Sequence, residues 1–377
     1  VAGTRDFLPQ QHSVLKFIQT KWENISRNHG FQSYETPVVE QFELFKKKMS
    51  GNEDLANQMF VWRDESVQQL AGGDSGQQSP ILCLRPEMTP SLARLVMQQG
   101  KKLIKPLKYF SIAQCWRNEQ VTRGRKREHY QWNCDIWGIK EVYAEAELLS
   151  LLHHLFAQVN LTNDIVIKVS SRKLLQSILW DLDHSSFVEV CCILDRIAKL
   201  ELDEIRTQLT HELKLSPNVV DRIFRFVQLD LDKLTVEETL GCIESILNET
   251  SNDAPNGNIS AQSGLLLFQE ASSELLLLFK LAHSYGYDHL LKFDTSIVRG
   301  LSYYTGIVFE VFCTTSSLQR AICGGGRYDN LLQTAYDYSE NVPAVGFGFG
   351  DIVLTEILEE KQLLPKSLGE PHVDDRV

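Results

Sequence analysis

The sequence predicts an α+β fold, in which an antiparallel sheet is flanked by helices and interrupted by an inserted helical domain. Two observations support this prediction. Helical and extended patterns are mixed irregularly over residues 1–173 and again after residue 284, whereas residues 174–249 carry almost only helical periodicity. The 377 residues are enough for more than one hydrophobic core, so two or three domains are expected.

The first helix is predicted where Val14, Phe17, Ile18 and Trp22 recur at steps of three and four residues. Gly30 would end it at the C′ position. Extended segments and helices then follow, with strands at 32–39, 81–88, 107–117 and 130–137 and helices at 91–99 and 143–159. A long hairpin loop joins the last two strands, which favours antiparallel pairing.

The middle of the chain is predicted to form the helical insertion, with helices such as 189–200, 204–213 and 236–247. Residues 249–264 are rich in Ser, Asn, Gly, Asp and Pro, a composition typical of a mobile surface loop. The remaining elements are a long helix at 265–284, strands at 289–298, 301–312, 319–323 and 345–349, and a helix at 351–361.

Composition excludes several classes of protein. The net charge is -11, from 38 basic and 49 acidic residues, so any contact with nucleic acid must be local. The eight cysteines form no CxxC pair, which argues against structural zinc and a disulfide framework and favours reduced thiols. The most apolar stretch, 265–279, is interrupted by polar residues and is too short to span a membrane.

Polar side chains share one face of a predicted strand. Because side chains alternate along a strand, Gln131 and Asp135 project together, and Glu87 with Thr89 ends the strand predicted at 81–88. Two carboxylates and two neutral polar groups would suit a ligand with an ammonium group and a polar, proton-bearing ring. The alternative is a pair of half-exposed strands without a ligand.

A cationic loop and two glycine-rich segments complete the candidates. The loop 117–127 places five cations in eleven positions, which predicts either a polyphosphate or nucleic-acid clamp or a solvated hairpin. Glycines at 324–326 and 346–350 would let backbone approach a ligand closely, or form tight turns and packed strands. Neither segment is a P-loop, since no Gly-Lys-Ser/Thr follows.

These segments occur together in the order found in histidyl-tRNA synthetases, and the chain resembles that family from residue 3 to about residue 363. The resemblance rests on five ordered motifs: Gly3-Thr4-Arg5-Asp6; Leu84-Arg85-Pro86-Glu87-Met88-Thr89; Arg117-Asn118-Glu119 with Gly124-Arg125 and Gln131–Asp135; Arg299-Gly300-Leu301-Ser302-Tyr303-Tyr304-Thr305-Gly306; and Gly324-Gly325-Gly326-Arg327-Tyr328-Asp329.

The resemblance implies a class II synthetase catalytic domain, normally a homodimer, whose first class II motif at 30–37 lies at the dimer interface. It implies that histidine is activated by ATP, with its accompanying Mg²⁺, to histidyl-adenylate and is then transferred to tRNA(His). No metal site made from protein side chains is expected. The implied divisions are a catalytic domain at 1–173 and 264–365, a helical insertion at 174–263, and a linker at 366–377 toward an anticodon-binding domain.

The resemblance also assigns site residues. Eight would bind histidine: Glu87, Thr89, Arg117, Gln131, Asp135, Arg299, Tyr303 and Tyr304. Four would bind ATP: Arg117, Glu119, Arg125 and Arg299. Arg117 and Arg299 would be the catalytic pair, because the attack of a carboxylate on phosphorus requires charge stabilisation rather than a general base.

Two positions depart from the family pattern. Ser302 stands where the family usually has aspartate, and Val353 stands where the third class II motif usually has an arginine. Either another cation replaces that arginine or ATP binds differently. We expect an atypical subgroup that still aminoacylates tRNA, and a chain trimmed from a longer protein.

Two other functions fit part of the pattern. The synthetase-like regulatory subunit of ATP phosphoribosyltransferase lacks the anticodon-binding domain and senses histidine, while a synthetase-like domain could serve only to sense uncharged tRNA. The basic loop and the long helical insertion favour the synthetase. A cytoplasmic location is expected, or a mitochondrial or chloroplast location if a transit peptide was removed.

Overall fold

The computed structural model describes residues 1–46, 57–63, 80–197, 200–229, 231, 233–252, 259–300, 302–366 and 368. Within these residues an eight-stranded sheet runs through the centre of the molecule, and a three-stranded sheet lies apart from it. The strands are β1 (Gln32–Ser33), β2 (Val39–Gln41), β3 (Val61–Arg63), β4 (Ile81–Leu84), β5 (Leu107–Trp116), β6 (Glu128–Trp137), β7 (Ile165–Ser171), β8 (Leu291–Phe293), β9 (Ile307–Cys313), β10 (Ala321–Arg327) and β11 (Ala344–Gly350).

The large sheet has the order β1-β5-β6-β11-β10-β9-β7-β8, and the small one has the order β2-β4-β3. Every pair in the interior of the large sheet is antiparallel, and only the two edge pairs, β1 with β5 and β7 with β8, are parallel. The predicted mixture of an antiparallel sheet with flanking helices is confirmed.

The helices of the described residues are α1 (Pro9–Asn28), α2 (Phe42–Lys46), α3 (Thr89–Gln99), α4 (Tyr143–Gln158), α5 (Arg172–Ile178), α6 (His184–Leu194), α7 (Leu202–Thr207), α8 (Pro217–Val227), α9 (Val236–Asn252), α10 (Ile259–Tyr285), α11 (Leu331–Tyr336) and α12 (Asp351–Glu360). Short 3₁₀ turns lie at Gly100–Lys102, Thr162–Asp164 and Asp288–Leu290, and a π turn lies at Gln208–Glu212. No described helix is long and apolar enough to cross a membrane.

Helix α1 covers one face of the central sheet. Pro9 occupies its first turn, and Gly30 follows its end with φ of 77°, a left-handed conformation that glycine adopts without strain. The apolar side of α1 carries Trp22, whose ring centroid lies 5.7 Å from that of Trp132 on β6 and 5.4 Å from that of Phe349 on β11. The opposite face of β6 and β11 is thereby left for other groups.

Several predicted elements have different bounds. The strand predicted at 81–88 ends at Leu84, because Pro86 cannot donate to a strand ladder, and α3 begins at Thr89 with Pro90 in its first turn. The strands predicted at 289–298 and 301–312 are also shorter. Strand β7 and helix α8 follow patterns that the sequence analysis did not single out.

The helical part of the chain packs against the long helix α10. Helices α5, α8 and α9 contribute buried apolar residues to the same core cluster as the sheet. Arg222 of α8 is buried and donates to the carbonyl of Ile178 at 2.8 Å and to Asp181 at 2.6 Å. At the segment predicted as a mobile loop, α9 extends to residue 252 and α10 begins at residue 259, and 253–258 lie outside the described residues.

Candidate active site

Glycines on two neighbouring strands form the floor of the site. Gly346 and Gly348 of β11 pair with Gly326 and Gly324 of β10, and on the other side with residues of β6. A Cβ atom on Gly346 would overlap the carboxylate of Asp135. These glycines of β10 and β11 carry no side chains, and they therefore leave space above the sheet where polar side chains of β6 lie across it.

The β6 side chains on this face are almost completely buried. Asp135 is 1% exposed and Gln131 is 8% exposed, and a Cβ atom on Gly348 would overlap the amide nitrogen of Gln131. The alternation along the strand therefore places both residues over the glycine floor, as their spacing of four predicts. Their common position is a property of the backbone.

Tyrosine rings form one wall beside Asp135. The hydroxyl of Tyr328, which directly follows β10, donates to Oδ1 of Asp135. Burial and the Asp135 carboxylate raise the pKa of Tyr328 well above its usual value, so this hydroxyl keeps its proton. The rings of Tyr303 and Tyr304 lie 5.7 and 6.5 Å from that of Tyr328, centroid to centroid. The sequence analysis did not assign Tyr328, although it stands in the quoted glycine motif.

Glu87 lies in the turn that leads into α3, not on a strand as predicted, and Thr89 is the first residue of α3. Both are buried, at 5% and 7% exposure. The charge of Glu87 acts on the neighbouring tyrosines: burial comes first, and Glu87 adds to it, in raising the pKa of Tyr303 and Tyr304. Glu87 therefore stands close to the tyrosine wall.

Arg299 lies over the glycine floor at the other side of the tyrosines. Its Nη1 would be 2.7 Å from a Cβ atom on Gly324, and its guanidinium carbon lies 5.9 Å from the ring centroid of Tyr304. An ion pair with Glu310 of β9 holds the guanidinium there. The backbone of Arg299 has φ of 58°, which is uncommon for a residue with a side chain. Glu310 was missed because it lies on β9, eleven residues after Arg299, a spacing that no helix or strand period links.

The loop between β5 and β6 brings two predicted cations to one carboxylate. Nε of Arg125 lies 2.6 Å from Glu119, and Nη1 of Arg117 lies 3.9 Å from the other oxygen of Glu119. Arg117 also donates from Nε to the carbonyl of Pro86 at 3.0 Å, which places it next to Glu87 in the chain. The loop is thus ordered by ion pairs and is not simply a solvated hairpin.

His129 connects the two groups of residues. It lies two positions before Gln131 on β6, and its Nε2 is 3.3 Å from the amide oxygen of Gln131. Burial, and then the positive charge of Arg117, lower the pKa of His129 to about 3, so the ring is neutral at physiological pH. The period of two on β6 could have identified this residue from the sequence.

The predicted residues therefore form one contiguous group. Asp135, Gln131 and the tyrosines meet over the glycines, Glu87 and Arg299 border the tyrosines, and Glu119 with its two arginines lies beyond His129. A cavity of about 480 Å³ opens on the far side of Tyr303 and Tyr304 toward α5, α6 and α10. Ser302, one of the two positions that depart from the family pattern, lines this cavity. The described residues contain no group of three or more His, Cys, Asp or Glu that could hold a metal.

The second departure, Val353, is buried in the core of α12 at 9% exposure. Two residues earlier, Asp351 forms an ion pair of 2.9 Å with Arg5, which also binds Glu128 at 2.7 Å. Burial raises the pKa of Asp351 to about 6, against the opposing effect of Arg5. These ion pairs link the amino-terminal segment to β6 and α12. Position 353 itself is a buried valine and provides no cation.

Comparison with known proteins shows the family. The family model described as histidyl-tRNA synthetase matches residues 3–350. The chain belongs to the histidyl-tRNA synthetase family. The prediction of this family, of a synthetase function and of an enzyme is confirmed, and the regulatory-subunit alternative is not favoured.

Individual relatives agree with this assignment. A histidine--tRNA ligase of Arabidopsis thaliana, named chloroplastic/mitochondrial, is 40% identical over 97% of this chain and 66% of its own length. One of Leptospira biflexa is 32% identical over 96% of this chain and 74% of its own length. The crystal structure of the Nostoc sp. PCC 7120 histidyl-tRNA synthetase shares the fold, with a TM-score of 0.73 at 22% identity over 97% of this chain and 76% of that one. The chain thus spans about two thirds to three quarters of such relatives.

Proposed function

We propose that this chain carries out both steps of the histidyl-tRNA synthetase reaction, with histidine at the Asp135 end of the site and ATP, with its Mg²⁺, at the Glu119 end. One observation carries the proposal: buried hydrogen-bond acceptors lie at one end of a contiguous group and guanidinium groups lie at the other. A zwitterionic amino acid with a polar ring and a triphosphate need these two environments side by side.

At the amino-acid end, the carboxylate of Asp135 accepts a hydrogen bond from the imidazole N–H of histidine, and Gln131 lies beside it to bond the ring. Glu87 and Thr89 face the substrate ammonium. Tyr303 and Tyr304 cover the ligand, and the glycine floor leaves the space that the imidazole occupies. Support comes from the burial of Asp135. A ligand ring that offers no N–H to this buried carboxylate would cost free energy, so a ring with an N–H, such as imidazole, is favoured.

In the first step, an oxygen of the histidine carboxylate forms a bond to the α-phosphorus of ATP. The bond from that phosphorus to the bridging oxygen of the β-phosphate breaks, and pyrophosphate leaves. Arg117 and Arg299 approach this phosphorus from the loop and from the glycine floor and stabilise the charge that develops on its oxygens. No general base is required, since the carboxylate is ionised at neutral pH.

In the second step, the terminal ribose hydroxyl of tRNA(His) attacks the carbonyl carbon of histidyl-adenylate, and AMP leaves. We propose that the helical insertion at 174–263 contacts this tRNA and that the chain acts as a homodimer through the surface near residues 30–37. Sedimentation of the purified chain checks the dimer: a monomer at micromolar concentration contradicts it.

We further propose an organellar location, supported by the name of the 40% identical plant relative. Fractionation of the cells that make the protein, followed by detection with an antibody, checks this location. Recovery with the chloroplast or mitochondrial fraction is expected. Recovery with the cytosol contradicts it and leaves the reaction proposed above unchanged.

Histidine-dependent exchange of labelled pyrophosphate into ATP tests the first step directly. The wild-type chain should catalyse exchange with histidine and not with other amino acids, and Arg117→Ala and Arg299→Ala should each lower kcat at least about a hundredfold. Binding of histidine without any exchange would instead support the regulatory-subunit function. Charging of tRNA(His) transcripts then tests the second step.

A further inference from the structure

Arg320 lies beneath the tip of the loop between β5 and β6. It directly precedes β10, and its Nη1 is 3.4 Å from the hydroxyl of Thr122. Its Cδ would be 3.5 Å from a Cβ atom on Gly124, which has φ of 76° at the loop tip. The side chain of Arg320 is partly buried between this loop and the turn at Leu318.

Carboxylates are scarce around Arg320. Within the described part of the chain it forms no ion pair inside 4 Å, and the nearest acidic group that acts on it is Glu119, which is already bonded to Arg125 and reaches Arg117. Burial and then the charge of Arg125 lower the pKa of Arg320. Arg117 and Arg125 thus share the single carboxylate of Glu119, and Arg320 adds a third positive charge near the loop tip, an arrangement that an anion would stabilise.

Other cations of the same loop differ from Arg320. Arg123 is bound by Glu356 at 2.9 Å and by Glu360 at 3.2 Å, both on α12. Arg127 donates to the carbonyls of Glu119 and Ala2. Their positive groups are engaged within the protein, whereas the guanidinium of Arg320 has only a hydroxyl as its hydrogen-bond partner among the described residues.

We propose that Arg320 binds the β- and γ-phosphates of ATP together with Arg125. This inference rests on the proposed function and extends it by one residue, which the sequence analysis did not assign. Thr122 lies at the loop tip and Arg320 beneath it, on the Glu119 side of the site, where the distal phosphates would lie. Arg320, directly before β10, would thereby supply a cation that position 353 on α12 lacks, since Val353 is a buried valine.

The experiment measures pyrophosphate exchange and ligand binding in wild-type, Arg320→Ala and Arg320→Lys chains. Arg320→Ala should raise the KM for ATP about tenfold or more, since a charge-assisted contact to phosphate is lost. The KM for histidine should stay within about twofold. In calorimetry the affinity for ATP should fall by a similar factor while that for AMP is unchanged, and Arg320→Lys should restore part of the loss.

Arg225→Ala is the matched control, because it removes the same charge from a surface ion pair with Glu249 in the helical part of the chain. It should leave both KM values unchanged, and circular dichroism should show that every variant is folded. An ATP KM within about twofold of wild type in Arg320→Ala overturns the inference, as does an equal loss of AMP affinity. If the wild type shows no exchange but binds ATP through Arg320, the proposed function fails and this inference stands.

Discussion

At the amino-acid end of the site Asp135 is 1% exposed and is held by the hydroxyl of Tyr328 over glycine backbone, whereas at the nucleotide end the side chain of Arg125 is 40% exposed and is held by Glu119 on a loop. We propose that the first end recognises histidine by shape and by buried hydrogen bonds, which are costly to leave unmade. The second end uses charge that solvent can partly replace. Selectivity is therefore expected mainly from the first end, and nucleotide affinity from the second.

The largest expected effect comes from removing the space above the glycine floor. In Gly346→Ala the new Cβ overlaps the carboxylate of Asp135, so we expect histidine affinity to fall at least about a hundredfold and the free energy of unfolding to fall by about 1 to 3 kcal/mol. Calorimetry and urea denaturation measure the two effects.

Gly241→Ala is the control for this substitution, because no heavy atom lies within 4 Å of a Cβ atom at that position in α9. It should leave histidine binding unchanged and raise the free energy of unfolding by up to about 1 kcal/mol. If the folded Gly346→Ala chain binds histidine as tightly as wild type, the space above Gly346 is not needed for histidine binding.

The charge of Asp135 is tested by Asp135→Asn, which keeps the size of the side chain and an acceptor for Tyr328. Loss of a charge-assisted bond to the imidazole should weaken histidine binding about tenfold to a hundredfold. The KM for ATP should remain within about twofold in pyrophosphate exchange. Equal changes in the two KM values would contradict the separation of the two ends.

The protonation of His129 tests whether the buried environment around Asp135 and Gln131 extends to this residue. Its pKa in the folded chain, about 3, is below its usual value of 6.5, so its contribution to stability is fully present above pH 6.5 and is lost as pH falls toward 3. Between pH 5 and pH 4 the free energy of unfolding of the wild type should therefore fall by about 1.4 kcal/mol per pH unit more than that of His129→Phe. Urea denaturation at these pH values checks this; parallel curves would show that His129 titrates normally.

The smallest of these effects is expected at the exposed end. Arg125→Ala should raise the KM for ATP about tenfold at low salt, and the difference from wild type should shrink as the ionic strength rises, because exposed charges are screened. The KM for histidine is the internal control. A salt-independent loss would show that Arg125 is enclosed when ATP binds, and would weaken the contrast between the two ends.

Much of the fold follows from local patterns. The periodicity of α1 and the left-handed position at Gly30 predicted that helix and its end, and the alternation along β6 predicted that Gln131 and Asp135 share a face. Glu87 was predicted on a strand because the alternating pattern continues past Leu84. In the structure the strand ends at Leu84, because Pro86 cannot donate to a strand ladder. The roles assigned to these residues, and the domain bounds, stay predictions until the experiments above are done.

By itself the sequence determined most of the helices and strands, which side chains of β6 share a face, and which family the ordered motifs indicate, because these depend on neighbours along the chain. Only the tertiary structure decided that Tyr328 bonds Asp135, that Glu310 holds Arg299, and that Arg320 stands beside Arg125 without a carboxylate of its own. The first and third of these depend on the order and register of strands distant in sequence, the second on the path of the chain between Arg299 and β9, and no local period encodes any of them.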